Sequence, residues 1–196
     1  FCCSSQFSGR RWRARSPKNV VDEIEHLKKD FGFRAVYFVD DNFTLNPKRV
    51  IEICNEMIKR KLNMLWWSLS RADTIVKNID MVKYMKRAGA YMVFLGVESA
   101  SQKTLNNYGK KEDTSQISKA FSILRKYGIK IWASFILGAE NETKKMVKAT
   151  IKWAKKLNPS AAQFSILTPF PGTRLWEEVK DKLLTKNWNL FDTAHS

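Results

Sequence analysis

Residues 91–97 read Tyr-Met-Val-Phe-Leu-Gly-Val, seven positions without a charge, and the run stops at Glu98-Ser99. Gly89 stands just ahead of it and closes a helical pattern that begins near Ile79. The run lacks the polar alternation of a strand with one wet face. It therefore reads as a strand of a parallel sheet covered on both faces. Working outward, four more segments share this character: 35–39 and 65–69 upstream, 129–137 and 161–167 downstream.

Helical patterns fill the intervals. Ser16 and Pro17 supply an N-cap and a first-turn proline, Val20, Val21, Ile24, Leu27 and Phe31 follow at helical spacing, and Gly32 terminates. Asn46 and Pro47 repeat the device ahead of Val50, Ile51, Cys54, Met57 and Ile58. A third stripe runs from Ile117 to Tyr127 and is closed by Gly128; a fourth runs from Met146 to Leu157 and is stopped by Pro159. Strands recurring at roughly 30 residues are the signature of βα units. Such repeats build either a barrel or a doubly wound sheet, and both place their chemistry at the carboxyl ends of the strands.

Those ends are polar. They read Asp40-Asp41-Asn42, Ser70-Arg71-Ala72-Asp73, Glu98-Ser99, Gly138-Ala139-Glu140-Asn141-Glu142 and Thr168-Pro169-Phe170-Pro171-Gly172-Thr173. Strand-to-helix loops are polar in most proteins because Asp and Ser cap helices. Carboxylates at four of five ends of one rim nevertheless call for a common ligand, one carrying an amine, hydroxyls and a carboxylate for Arg71. Neither a phosphate-binding loop nor a dinucleotide-binding glycine pattern is present. His26 and His195 fall away from the rim, which disfavours hydrolytic triads and histidine-based zinc sites.

With 196 residues, 44% of them hydrophobic, the chain is expected to form one domain over 1–196. No apolar stretch approaches the roughly 18 to 20 residues of a membrane helix, and the expected setting is cytoplasmic, without a membrane partner. The formal charge of +16 is spread mostly as lysines over several helix faces, consistent with a solvated exterior. One dense run, Arg10, Arg11, Arg13 and Arg15 around Trp12, suits an anionic ligand. Three cysteines make no disulfide framework, and Cys54 sits on an apolar helix face as a small buried hydrophobe.

Gly-Val-Glu-Ser-Ala-Ser (96–101), Phe-Ile-Leu-Gly (135–138) with Glu142, and Thr-Pro-Phe-Pro-Gly-Thr (168–173) together resemble the radical S-adenosylmethionine (SAM) superfamily. The likeness is to its cobalamin-associated branch, which includes the anaerobic magnesium-protoporphyrin monomethyl ester cyclases. Asp-Asp-Asn-Phe (40–43) and Ser-Arg-Ala-Asp (70–73) suit the same branch. The resemblance implies a partial six-stranded βα barrel, here without its first strand. It also implies a four-iron four-sulfur (4Fe-4S) cluster, SAM, and cobalamin through a domain outside this chain. Phe1-Cys2 matches the end of the family's C-x-x-x-C-x-aromatic-C loop, which makes Cys2 the implied metal ligand and leaves Cys3 beside it. By position, the backbone at Asp40, Asp41 and Asn42 would meet the SAM amine. Glu98, with Ser99, would meet the ribose hydroxyls or the amine, and Ser70 and Arg71 the polar end of the ligand. Ile136, Gly138, Leu167 and Thr168 would flank adenine.

Two features depart from the family pattern: Asp40-Asp41-Asn42 stands where many relatives have Gly-Gly-Glu, and the Gly138 loop lacks their Gly-Leu-Pro-Gly-Glu run. The expected activity is that of a radical SAM oxidoreductase or transferase. It would perform methyl transfer, cyclisation or a similar modification, on a small or macromolecular substrate that the sequence leaves open. A reductant such as ferredoxin or flavodoxin is implied, and a piece with one cluster cysteine is expected to be inactive alone. Two readings compete: a non-catalytic nucleic-acid-binding βα protein that uses the arginine run, and a barrel enzyme that holds a divalent metal on its acidic rim.

Overall fold

The structure is a computed structural model that describes Ser4, Gly9 and residues 11–194. Five strands, β1 (Ala35–Phe38), β2 (Leu65–Ser70), β3 (Ala90–Glu98), β4 (Lys130–Leu137) and β5 (Ala161–Ile166), pair in parallel in the order 1-2-3-4-5. This order decides between the two architectures. A doubly wound sheet reverses its strand order at a switch point. Here each crossover advances the same way, and right-handed crossovers of that kind set every helix on one face. The result is an open barrel wall.

Around the strands lie α1 (Pro17–Phe31), α2 (Pro47–Lys59), α3 (Ala72–Lys77), α4 (Ile79–Arg87), α5 (Gln102–Asn107), α6 (Thr114–Lys126), α7 (Lys144–Leu157) and α8 (Arg174–Val179). The two proline-led starts form as the sequence indicates. Ser16 Oγ accepts from the Asn19 amide at 3.2 Å, and Asn46 Oδ1 accepts from the Arg49 amide at 3.2 Å.

Under the helices the strands bury Trp66 and Ser68, Val93, Leu95 and Val97, and Ile131, Ala133 and Phe135. Trp66 anchors this layer: its indole N–H donates to the Ala88 carbonyl at 3.0 Å, and its ring meets Phe38 and Phe43 edge-on. Gly89, at φ +98°, lets the end of α4 pass the Met64 carbonyl, against which any Cβ would collide. Cys54 is fully buried, and burial pushes its thiol up to about 12, so it stays protonated.

The expectation of a sheet covered on both faces is corrected. Alternate residues point to the other side, and there Tyr37 stacks on Trp67 at 5.4 Å and Phe94 meets Trp132 at 5.5 Å between centroids. Tyr37 and Trp132 remain 44% and 37% exposed. The strands look apolar throughout because the second face is the concave side of a barrel wall, lined among the described residues with aromatic rings.

Candidate active site

The site is built on the end of β3. Pairing with β4 slips between Gly96 and Glu98, and Glu98 takes a left-handed backbone, φ +64°. For a residue with a side chain that conformation costs about 1–2 kcal/mol and persists only when its surroundings hold it. The bulge folds the carboxylate back over Gly96: a Cβ at position 96 would strike Glu98 Oε1 and come within 3.1 Å of Lys110 Nζ. Glycine is what leaves room for this pair.

Lys110 Nζ donates to the Gly96 carbonyl at 2.6 Å and to Glu98 Oε1 at 3.2 Å. It also lies 3.1 Å from Glu112 Oε2. The Glu112 side chain has 0% exposure, and those of Lys110 and Glu98 have 10% each. Glu112 Oε1 accepts from the Asp73 amide at 3.0 Å and lies 3.6 Å from Arg71 Nη2, while Arg71 Nε donates to Asp73 Oδ1 at 3.0 Å. One cluster, buried at Glu112, Lys110 and Glu98 and open at Arg71, thus joins the loops after β2 and β3 with the segment between α5 and α6. It holds three carboxylates, Asp73, Glu98 and Glu112, against two cations, Arg71 and Lys110. Burial raises the Glu98 carboxyl above its ordinary value, Lys110 opposes this, and Glu112 adds to it. For Asp73 burial also pushes upward, but the bonds to Glu112 and Arg71 outweigh it and the carboxyl is lowered.

The other sequence-indicated residues fall into three places. Ser70 and Ser99 are buried beside the cluster. The Ser70 hydroxyl has no hydrogen-bond partner, whereas the Ser99 hydroxyl accepts from the Ser101 amide at 3.1 Å and lies 3.5 Å from Thr150 Oγ1. Ile136, Gly138, Leu167 and Thr168 gather at the ends of β4 and β5, where the Leu167 amide donates to the Leu137 carbonyl at 2.7 Å. Gly138, at φ +84°, donates its amide to Glu142 Oε2 at 2.7 Å, and the Thr168 hydroxyl bonds the Ile166 carbonyl at 3.1 Å.

Leu167 also lines a cleft of about 520 Å³ with Tyr108, Glu140 and Arg174. The Tyr108 hydroxyl is raised by burial and then by the charges of Glu142 and Glu98, so cleft and cluster are electrostatic neighbours. Asp40, Asp41 and Asn42 follow the edge strand β1. Asp40 and Asp41 are exposed, and Asn42 Oδ1 accepts from the Thr44 hydroxyl at 3.1 Å. Asp40 faces a separate cleft of about 330 Å³ with Arg13, Arg15 and Arg49.

Lys110, Glu112 and Tyr108 were not singled out from sequence. They sit in a charged loop after a six-residue helix, where no periodicity marks a buried side chain. Cys2, the implied metal ligand, lies outside the described residues. Among the described residues no three His, Cys, Asp or Glu side chains come together as a metal site, so a divalent metal on the rim has no ligand set there.

A singly wound βα wall with polar loops at its strand ends defines a class: the barrel-type proteins that bind ligands on that rim. Residues 1–154 match the model of the radical SAM superfamily, and the chain belongs to that superfamily. It is 42% identical over 195 residues to an uncharacterized methyltransferase of Pyrococcus horikoshii, covering 98% of this chain and 42% of that protein. It is 37% identical over 183 residues to an anaerobic magnesium-protoporphyrin IX monomethyl ester cyclase of Rubrivivax gelatinosus, covering 93% of this chain and 33% of that one. The chain therefore spans well under half the length of the curated relatives it matches. Among solved structures, the radical SAM methyltransferase TsrM of Kitasatospora setae, with cobalamin and a 4Fe-4S cluster bound, superimposes with a TM-score of 0.77. The identity there is 20%, over 86% of this chain and 34% of that one, and this likeness supports the fold.

Proposed function

We propose that the chain is the SAM-binding wall of a radical SAM enzyme that performs methyl transfer, cyclisation or a related modification. The observation that carries this is the bulged Glu98, whose carboxylate is folded over Gly96 in a cluster with one more carboxylate than cation. Three carboxyl groups against two cations leave one carboxyl without a cation of its own, and such a group favours a ligand that brings a positive charge. SAM brings an ammonium and a sulfonium, and its carboxylate suits Arg71.

The buried, unpartnered Ser70 hydroxyl is a further polar group free for a ligand or a water. Ile136, Gly138, Leu167 and Thr168 offer an apolar and backbone-lined flank for adenine, next to the 520 Å³ cleft that Leu167 lines. The described residues hold no cysteine fit for an iron–sulfur cluster, because Cys54 is buried and protonated. The resemblance assigns a ligand of the 4Fe-4S cluster to Cys2, which lies outside the described residues. When bound, the cluster supplies the electron that splits the carbon–sulfur bond of SAM to give a 5′-deoxyadenosyl radical. The protein's part is to orient SAM and exclude water.

Methyltransferase and cyclase relatives support the reaction classes, and the likeness to TsrM suggests cobalamin as a companion cofactor. A low-potential donor such as ferredoxin or flavodoxin would supply the electron, and the cytoplasm is the setting that suits such chemistry. No helix among the described residues is long and apolar enough to cross a membrane. A nucleic-acid reading gains nothing from Arg15, which is engaged by Glu23 and Asn19.

The test is anaerobic reconstitution of the full-length protein with iron, sulfide and reductant, followed by assay for 5′-deoxyadenosine. SAM-dependent formation is expected. A reduced, cluster-loaded protein that neither binds nor cleaves SAM would overturn the reading.

A further inference from the structure

Glu112 lies fourteen positions after Glu98 and belongs to a different loop, yet it is the most deeply buried charge of the cluster. Its two oxygens face two ways. Oε1 takes the Asp73 amide and faces Arg71, whose Nε also holds Asp73; Oε2 faces Lys110, whose ammonium holds both the Gly96 carbonyl and Glu98. One carboxylate therefore ties the loop after β2 to the loop after β3. Without it, Lys110 would keep Glu98 but lose its second anionic anchor, and Arg71 would keep only Asp73. The left-handed Glu98 needs such support, because its backbone conformation is costly unless neighbours hold it.

Resting on the SAM reading above, we propose that Glu112 is a positioning residue. It touches no ligand, but it fixes the Glu98 carboxylate through Lys110 and the guanidinium of Arg71 directly, so that the two ligand-facing charges are set as one unit. Burial at 0% side-chain exposure suits this role, since a low-dielectric setting keeps both pairings stiff where water would loosen them. A residue that served only to join the loops would need one oxygen, for the Asp73 amide. The second oxygen lies 3.1 Å from the cation that holds Glu98, an ion-pair contact without a hydrogen bond.

The test is a double-mutant cycle on the full-length, cluster-loaded protein, reading SAM affinity by equilibrium dialysis and stability by thermal unfolding. Glu112→Gln retains an oxygen for the Asp73 amide and removes the charge. It is expected to weaken SAM binding roughly tenfold, the scale of one charge-assisted contact. Glu98→Gln should weaken it at least as much, and the double variant no further than Glu98→Gln alone, because both changes cut the same chain of contacts. Lys110→Met severs that chain at its middle and should reproduce the Glu112→Gln loss; it also stands in for Glu112→Gln should that variant not fold. Unchanged affinity in folded Glu112→Gln or Lys110→Met, or losses that add in full, would overturn the inference. Unchanged affinity in Glu98→Gln would instead overturn the SAM reading beneath it.

Discussion

The molecule carries two charge clusters built from the same residue types, one with contacts of 2.7–2.9 Å and the other with contacts of 3.0–3.6 Å, and they do different things. On the helical surface Arg60 donates to Asp22 at 2.7 Å, and to Glu25 and Glu56 at 2.9 Å, stapling α1 to α2. Lys18 and Lys29 hold Asp22 and Glu25 from their other sides, so three carboxylates meet three cations. At the strand ends three carboxylates meet only two cations, and Glu112 has no exposure where Asp22 has 42%. The surface cluster is neutral and wet. The rim cluster is dry at Glu112, Lys110 and Glu98, opens to water at Arg71, and has one cation fewer than it has carboxyl groups. What separates a structural staple from a candidate binding site is the charge balance and the burial of the carboxylate at the centre, Glu112 in one and none in the other.

The contrast breaks first at Glu112. Removing one member of a buried ion cluster strands its partners, so Glu112→Ala should cost about 3 kcal/mol. Calorimetry should then show Tm lower by roughly 6–12 °C for a chain of this size. Next comes Gly96→Ala, which drives a methyl into the space of the Glu98 carboxylate and Lys110. SAM affinity by dialysis should fall roughly tenfold, with a smaller Tm loss than in Glu112→Ala.

Protonation sharpens the comparison further. The Glu98 carboxyl is raised in the folded protein, so its contribution to stability is present when it is protonated, below the ordinary value of 4.5, and is lost as pH rises through the raised value. SAM affinity should move the opposite way, increasing as Glu98 ionises, and Glu98→Gln should flatten both profiles. The smallest effect is expected at the surface. Arg60→Met should lower Tm by no more than about 3 °C, with the difference shrinking in added salt, and should leave SAM affinity unchanged.

The sequence was most legible where several local signals agree. Each of the five strands is an apolar run, and the flanking caps, Ser16 with Pro17, Asn46 with Pro47, and the terminating Gly32, Gly89 and Gly128, fixed the intervals between them. The choice of a barrel wall over a doubly wound sheet came from the resemblance and not from periodicity, which is the same in both. Coverage of both faces was misread because Tyr37, Trp67, Phe94 and Trp132 make the bare face as apolar as the packed one. The helices α3, α5 and α8, six residues each, are too short to show a period.

At the site, position alone picked out Glu98 and Arg71, since a polar residue ending an apolar strand is conspicuous. Nothing in the sequence marks what holds them. Lys110 and Glu112 belong to a Lys-Lys-Glu-Asp string (110–113) that looks solvent-facing, and only the fold shows these two turned inward while Lys111 and Asp113 stay exposed.

The account depends most on the claim that Glu98 faces a cationic ligand while the Arg60 cluster faces water. SAM titration of the full-length, cluster-loaded protein with Glu98→Gln and Arg60→Met side by side addresses it directly. The expected result is affinity weakened roughly tenfold or more in the first and unaltered in the second. Equal affinities in the two variants would contradict it.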